Sequence, residues 1–156
     1  MSDLPKKILL ATDGSEEADL AAKTAADLAA EPGSELHVVT VGPGYPLYLL
    51  PDSTGRFPEI FEEEKRETRK VLDAQVRKIE ALGGRVEKAH QRSGKPDREI
   101  LDLAEELDAD MVVVGSRGLG GLRRALMGSV STSVVRHAHC PVLVVREKED
   151  GHVDQS

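Results

Sequence analysis

DMVVVGSRGLGGLRRALMGS, residues 110–129, carries an unbroken apolar run, MVVVG (111–115), that passes directly into a segment crowded with glycine. The run 110–115 has no alternation, and a strand with one wet face would alternate. It therefore reads as a strand buried on both faces. Five of the chain's 14 glycines follow, at positions 115, 118, 120, 121 and 128. Glycine carries a backbone-entropy cost, so a cluster indicates a use: a sharp turn, or main-chain amides brought close to a ligand. From Ser129 to Ala138 the pattern predicts a short helix with Val130, Val134 and His137 or Ala138 on one side. The unit is strand, glycine loop, helix.

The same alternation extends outward in both directions. KILLAT (7–12) is a second doubly buried strand, closed by Asp13-Gly14-Ser15. Residues 15–30 place Ala18, Ala21, Ala22, Ala25, Leu28 and Ala29 at helical spacing, a small-residue face able to lie close to a sheet. ELHVVTV (35–41) is a strand, and a Gly/Pro-rich segment (42–58) follows, long enough to serve as a binding loop or a solvated excursion. A charged helix is predicted over 59–82 with Val71, Leu72, Val76 and Ile79 inward, then an edge strand over 85–90. Pro96 suits the first turn of a helix over 96–107, with Ile100, Leu103, Ala104 and Leu107 inward. CPVLVVR (140–146) is the last strand. The order β-α-β-α-β-α-β-α-β predicts an α/β domain with a parallel sheet and helices on both faces.

Composition agrees with one soluble domain, expected over 1–148, with a disordered polar tail over 149–156. A net charge of −7 argues against a nucleic-acid partner. No apolar stretch reaches the length of a membrane span, so no membrane partner is expected. The single cysteine, Cys140, excludes an internal disulfide and fits a reduced, cytoplasmic setting.

In an open parallel sheet, ligands bind beyond the carboxyl ends of strands, where strand order reverses. Two such ends carry unusual residues: Ala11-Thr12-Asp13-Gly14-Ser15 and the glycine stretch. Gly115 and Gly118 would permit a sharp turn. Gly128-Ser129 sits at a helix start, whose unpaired N–H groups and positive dipole end suit phosphate, and Ser129 and Ser131 can add hydroxyl donors. This is a cradle for a di- or triphosphate. It is neither a Walker loop, which needs Gly-Lys-Ser/Thr, nor the dinucleotide fingerprint G-x-G-x-x-G.

Two blocks, KILLATDGSEEA (7–18) and ADMVVVGSRGLGGLRRALMGSVSTSVVRHAHCPVLVVR (109–146), with glycines spaced G-2x-G-9x-G-S, resemble the ATP-binding subclass of the universal stress protein family. The likeness runs from about Lys6 to Arg146 and is weakest over 42–92. The resemblance implies a Rossmann-like sheet of five parallel strands in order 3-2-1-4-5, akin to adenine nucleotide alpha hydrolases. It implies that Asp13 meets the ribose or phosphate side, directly or through Mg²⁺. It places Val41, Ala11 and Thr12 beside the adenine, and Gly115, Arg117, Gly118, Gly128, Ser129, Val130 and Ser131 along the ribose and phosphates. It also implies a homodimer through the last strand, Pro141 to Val145, and a role in stress tolerance.

Each residue also has a plainer reading. Asp13 fits a helix N-cap, with Glu16 three residues on, and the two roles can coexist. Arg117 is the arginine placed to meet phosphate, whereas Arg123 and Arg124 read as surface residues or contacts for a partner. RHAHC (136–140) has no common zinc spacing and reads as a turn, so no metal site is expected. His37 and His90 each sit singly in a strand and read as packed or exposed. Cys140 lacks a base. The expected function is a cytoplasmic ATP-binding regulator whose occupancy biases conformation or partner choice. The alternatives are a slow ATPase or nucleotidyl-transfer enzyme in the same cleft, for which no general base is evident, and a dimeric module with an empty cleft, which the complete glycine-serine motif disfavours.

Overall fold

Nine elements alternate along the chain: β1 (Lys7–Ala11), α1 (Glu16–Leu28), β2 (Glu35–Gly42), α2 (Arg56–Ala81), β3 (Lys88–Ser93), α3 (Pro96–Leu107), β4 (Met111–Gly115), α4 (Ser129–His137) and β5 (Val142–Val145). The structure is a computed structural model and describes residues 4–44, 56–117 and 127–147. The strands form one sheet in the order β3-β2-β1-β4-β5, and every neighbouring pair is parallel. The chain winds outward from β1 to β3, then returns to the other side of β1 for β4. Strand order thus reverses between β1 and β4.

Alternate side chains of each strand feed two cores. Ile8, Leu10, Leu36, Val38 and Val113 pack under α1 and α2, with Ala21, Ala22, Ala25, Leu72 and Ile79. Leu9, Val39, Val112 and Val114 pack under α3 and α4, with Ile100, Leu103, Ala104 and Val134. The near-continuous apolar runs of β1 and β4 are required because both faces are covered. The alanine stripe of α1 is buried, so that helix lies close to the sheet. Ser133 Oγ donates to Asp97 Oδ2 (2.6 Å) and ties α4 to α3. Among the described residues, no helix is long and apolar enough to cross a membrane.

Several expectations need correction. The third strand runs over Lys88–Ser93, not 85–90. Its polar end, Gln91-Arg92-Ser93, is held by pairing with Thr40, Val41 and Gly42, so the cross-strand partner and not apolar alternation sets the boundary. Of the two residues offered for the inward side of α4, Ala138 is half-buried whereas His137 is exposed, with its Nδ1 3.0 Å from Ser133 O in the last turn. The helix turns inward on Val134, which is fully buried. The segment 42–58 is shorter than expected, because Gly42 belongs to β2 and Arg56 to α2; residues 45–55 lie outside the described residues.

His37 and His90 do not sit singly. Adjacent strands bring His37 Nδ1 to 3.0 Å from His90 Nε2, and His37 Nε2 lies 3.1 Å from Glu35 Oε1. Burial, then the nearby His37, Lys88 and Arg92 charges, push His90 down from 6.5 to about 4, against an opposing pull from Glu106. The unfolded chain therefore takes up a proton at His90 at higher pH than the folded one. Stability from this site is complete above pH 6.5 and falls as pH drops towards about 4. Chemical denaturation across that window should show a smaller decline in His90→Gln than in the parent. Identical slopes would rule His90 out as the source.

Candidate functional site

β1 releases the chain at Ala11. Thr12 N–H donates to Val39 O (2.9 Å), and the buried Thr12 hydroxyl donates to Gln75 Oε1 on the α1/α2 side. Gln75 Nε2 donates in turn to Asp19 Oδ1 (3.2 Å), whose carboxylate also takes Lys78 Nζ at 3.0 Å. Gly14 adopts φ of +83°, a left-handed turn that a side chain would resist. That turn makes Ser15, not Asp13, the cap of α1: Ser15 is extended and its Oγ accepts from Ala18 N–H (3.1 Å). Asp13 Oδ1 accepts from Ser15 N–H (3.0 Å), which folds Asp13 back over the turn that follows β1.

β4 ends at Gly115. A Cβ there would stand 3.3 Å from the Glu17 backbone and Cβ, so this glycine serves the close approach of α1 to the strand end. The following residue, Ser116, is fully buried, and its hydroxyl donates to Glu17 Oε1 (2.5 Å). Arg117 N–H also donates to Oε1 (2.9 Å), and the Arg117 guanidinium approaches Oε2 (3.4 Å). Glu147 N–H, beyond β5, donates to Oε2 (3.0 Å). Burial pushes the Glu17 carboxyl up. The hydrogen bonds from Ser116, Glu147 and Arg117 outweigh that push and hold it below the ordinary carboxylate range. Glu17 and Ser116 were not among the sequence candidates. The signal existed: position 17 lies on the same helical stripe as Ala21, Ala25 and Leu28, a carboxylate on a face otherwise meant for burial.

Ser116 also receives the start of α4. Its carbonyl accepts from Gly128 N–H (2.6 Å) and from the buried Ser131 hydroxyl (2.8 Å). The hydroxyl of Ser131 therefore points into the structure, and it also lies 3.1 Å from Gly128 O. The first intrahelical bond runs from Thr132 N–H to Gly128 O (3.0 Å), so the amides of Ser129, Val130 and Ser131 precede it. The N-cap is Gly128, which offers no side chain to those amides. α1, α2 and α3 each carry an acid in their first turn, whereas α4 carries none. Among the described residues, no side chain caps the positive end of the α4 dipole.

Ala11, Val41 and Val130 are partly buried and pack against the α3/α4 core. Ser129 is exposed at the first helical position. Asp13, Gly115, Arg117 and Gly128 complete the set brought to the two adjacent strand ends. Gly118, with Gly120, Gly121, Arg123 and Arg124, lies outside the described residues. Among the described residues, no group of three or more His, Cys, Asp or Glu could hold a metal ion. At the turn after α4, His139 Nε2 lies 3.1 Å from Glu105 Oε2, while burial and then Asp110 push the Cys140 thiol up.

The chain as a whole has counterparts among known proteins. The family model described as "Universal stress protein family" matches residues 5–146. Universal stress protein MJ0531 of Methanocaldococcus jannaschii is 37% identical over 145 residues, spanning 93% of this chain and 84% of the relative. The structure of the hypothetical protein MJ0577 superposes with a TM-score of 0.79 at 28% identity, covering 94% of this chain and 99% of that one. A universal stress protein from Archaeoglobus fulgidus, solved in complex with dAMP, gives a TM-score of 0.63 at 27% identity, with 91% and 98% coverage. Extending over nearly the whole described fold, from before β1 to the end of β5, these matches show that the chain belongs to the universal stress protein family.

Proposed function

We propose that this protein binds ATP at the β1/β4 switch point and acts as a nucleotide-responsive regulator. The observation that carries the proposal is the start of α4, beside the end of β4: first-turn amides that precede the first intrahelical bond, a glycine cap and no acidic residue in the first turn. The phosphates lie against the amides of Ser129, Val130 and Ser131, with Gly115, Arg117, Gly118 and Gly128 shaping the loop. The adenine lies against Ala11, Thr12 and Val41, where Ala11 and Val41 offer apolar contact. Mg²⁺ arrives with the nucleotide, held by Asp13 and the phosphates. A single carboxylate with phosphate oxygens suits Mg²⁺, which keeps most of its water. The dAMP complex of the Archaeoglobus relative supports an adenine nucleotide in this fold.

Two copies pair through β5. That strand bonds to β4 alone among the described strands, and Val142, Leu143, Val144 and Val145 are all only half-buried. The dimer works in the cytoplasm, and ATP shifts its conformation or partner by binding one state more tightly. Denaturing the purified protein and separating the supernatant by chromatography tests the reading. Released ATP, or ATP taken up on titration, is the expected result. Absence of both would overturn it, and steady conversion to ADP would move the reading to an ATPase.

A further inference from the structure

Glu17 has a place in the fold that packing does not explain. It is 6% exposed, on a helix face otherwise built of alanine. A carboxylate buried so far is retained only when donors satisfy it. Glu17 draws its donors from two segments other than its own helix. Ser116 Oγ and Arg117 N–H come from the exit of β4, and Glu147 N–H comes from the exit of β5. Ser116 is also the residue whose carbonyl fixes Gly128 and Ser131 at the start of α4. One carboxylate therefore sits behind both ends of the segment 117–127: directly at Arg117, and through Ser116 at Gly128.

We propose that Glu17 is a positioning residue for the phosphate side of the site, setting the spacing between the β4 exit and the α4 N-terminus by holding Ser116 and Arg117. It touches no ligand. The proposal deepens the nucleotide reading and rests on it for its binding consequence, while the positioning of Ser116 and Arg117 stands on the hydrogen bonds alone. The bonds to the Arg117 side chain add a second consequence. While Glu17 is ionised, the guanidinium has an anionic neighbour inside the protein at 3.4 Å. If that contact withheld Arg117 from phosphate, removing the charge would tighten binding. Positioning requires the opposite sign.

The test compares the full chain with Glu17→Gln and with the milder Ser116→Ala. Gln keeps the size but turns one carboxylate oxygen into an N–H₂ group facing the donors. Binding of adenosine and of MgATP is measured by calorimetry, and amide hydrogen exchange is followed without ligand. The expected result is a MgATP affinity lowered about tenfold in Glu17→Gln, corresponding to loss of one charge-assisted bond network. Adenosine affinity should stay within about twofold, because a positioning role at the phosphate side spares the nucleoside, whereas general destabilisation would lower both. Gly128 N–H, two bonds removed from Glu17, should exchange faster while Val113 in β4 stays protected. Ser116→Ala should move the same quantities less, and it serves if Glu17→Gln fails to fold. Unchanged or tighter MgATP binding, with Gly128 exchange unaltered, would overturn the proposal. If the parent binds no nucleotide, the ATP reading fails and Gly128 exchange alone decides: faster supports Glu17 as the anchor, unchanged rejects it.

Discussion

Ser129→Asp is expected to reduce MgATP affinity about a hundredfold or more while leaving the protein as stable as the parent or slightly more so. Ser129 is the first residue of α4 and is exposed, so the substitution disturbs no packing. α4 is the helix without an acid in its first turn, and an aspartate there completes the dipole, worth about 0.3–1 kcal/mol to folding. The same charge stands where a phosphate is to lie. Two like charges about 4 Å apart repel by roughly 4 kcal/mol at an effective dielectric near 20. Screening and rotamer freedom reduce that to about 2.7 kcal/mol, which is the hundredfold loss. The two effects have opposite signs on folding and on binding, so thermal melts and calorimetry on one variant separate them. A variant that melts higher yet binds MgATP like the parent would remove the α4 N-terminus from the site.

Leu9→Ala is expected to destabilise the fold by about 2–5 kcal/mol, the usual cost of emptying a fully buried leucine site. Leu9 lies in β1, the central strand, paired on both sides, and is 0% exposed beneath α3 and α4. Its neighbours Val39, Val112 and Ile100 are held by the sheet and helix backbones, so little collapse can refill the cavity. Against a total stability of about 5–15 kcal/mol, the change would be visible in any urea melt. Leu82→Ala, at a 60% exposed position, is the control and should stay within about 0.5 kcal/mol. Equal effects at the two positions would contradict the assignment of β1 as the doubly covered centre.

The buried strands and the alternation of elements were legible in the residues themselves. The apolar runs 111–115 and 8–11 read as doubly buried strands because they are short, lack alternation and are bounded by turn residues. α3 begins at Pro96 and ends at Leu107 as read, because proline fixes the first turn and Ile100, Leu103 and Ala104 mark one face. The order of the strands was implied by resemblance alone, since pairing between segments about a hundred residues apart leaves no local trace. The same applies to β3, whose polar residues become a strand only because β2 lies beside them.

At the site, the glycine and serine positions were legible through spacing, and the geometry gives some of them different work. Gly115 admits the first turn of α1, and the Ser131 hydroxyl fastens α4 to β4. Glu17 and the His37–His90 pair were not found, because each depends on a partner brought from another strand or helix. A charged residue on an alanine stripe was the available sign for Glu17. Nothing local marks His37 as the neighbour of His90.

The central claim is that an adenine nucleotide's phosphates meet the opening turn of α4 beside β1. It is tested most directly by titrating MgATP into ¹⁵N-labelled protein and following individual amide resonances. The claim predicts that Ser129, Val130 and Ser131 shift most, together with Ala11, Thr12 and Asp13, and that all six report one dissociation constant. Saturating MgATP that left the Ser129–Ser131 amides in place, whether or not it moved resonances elsewhere, would contradict it.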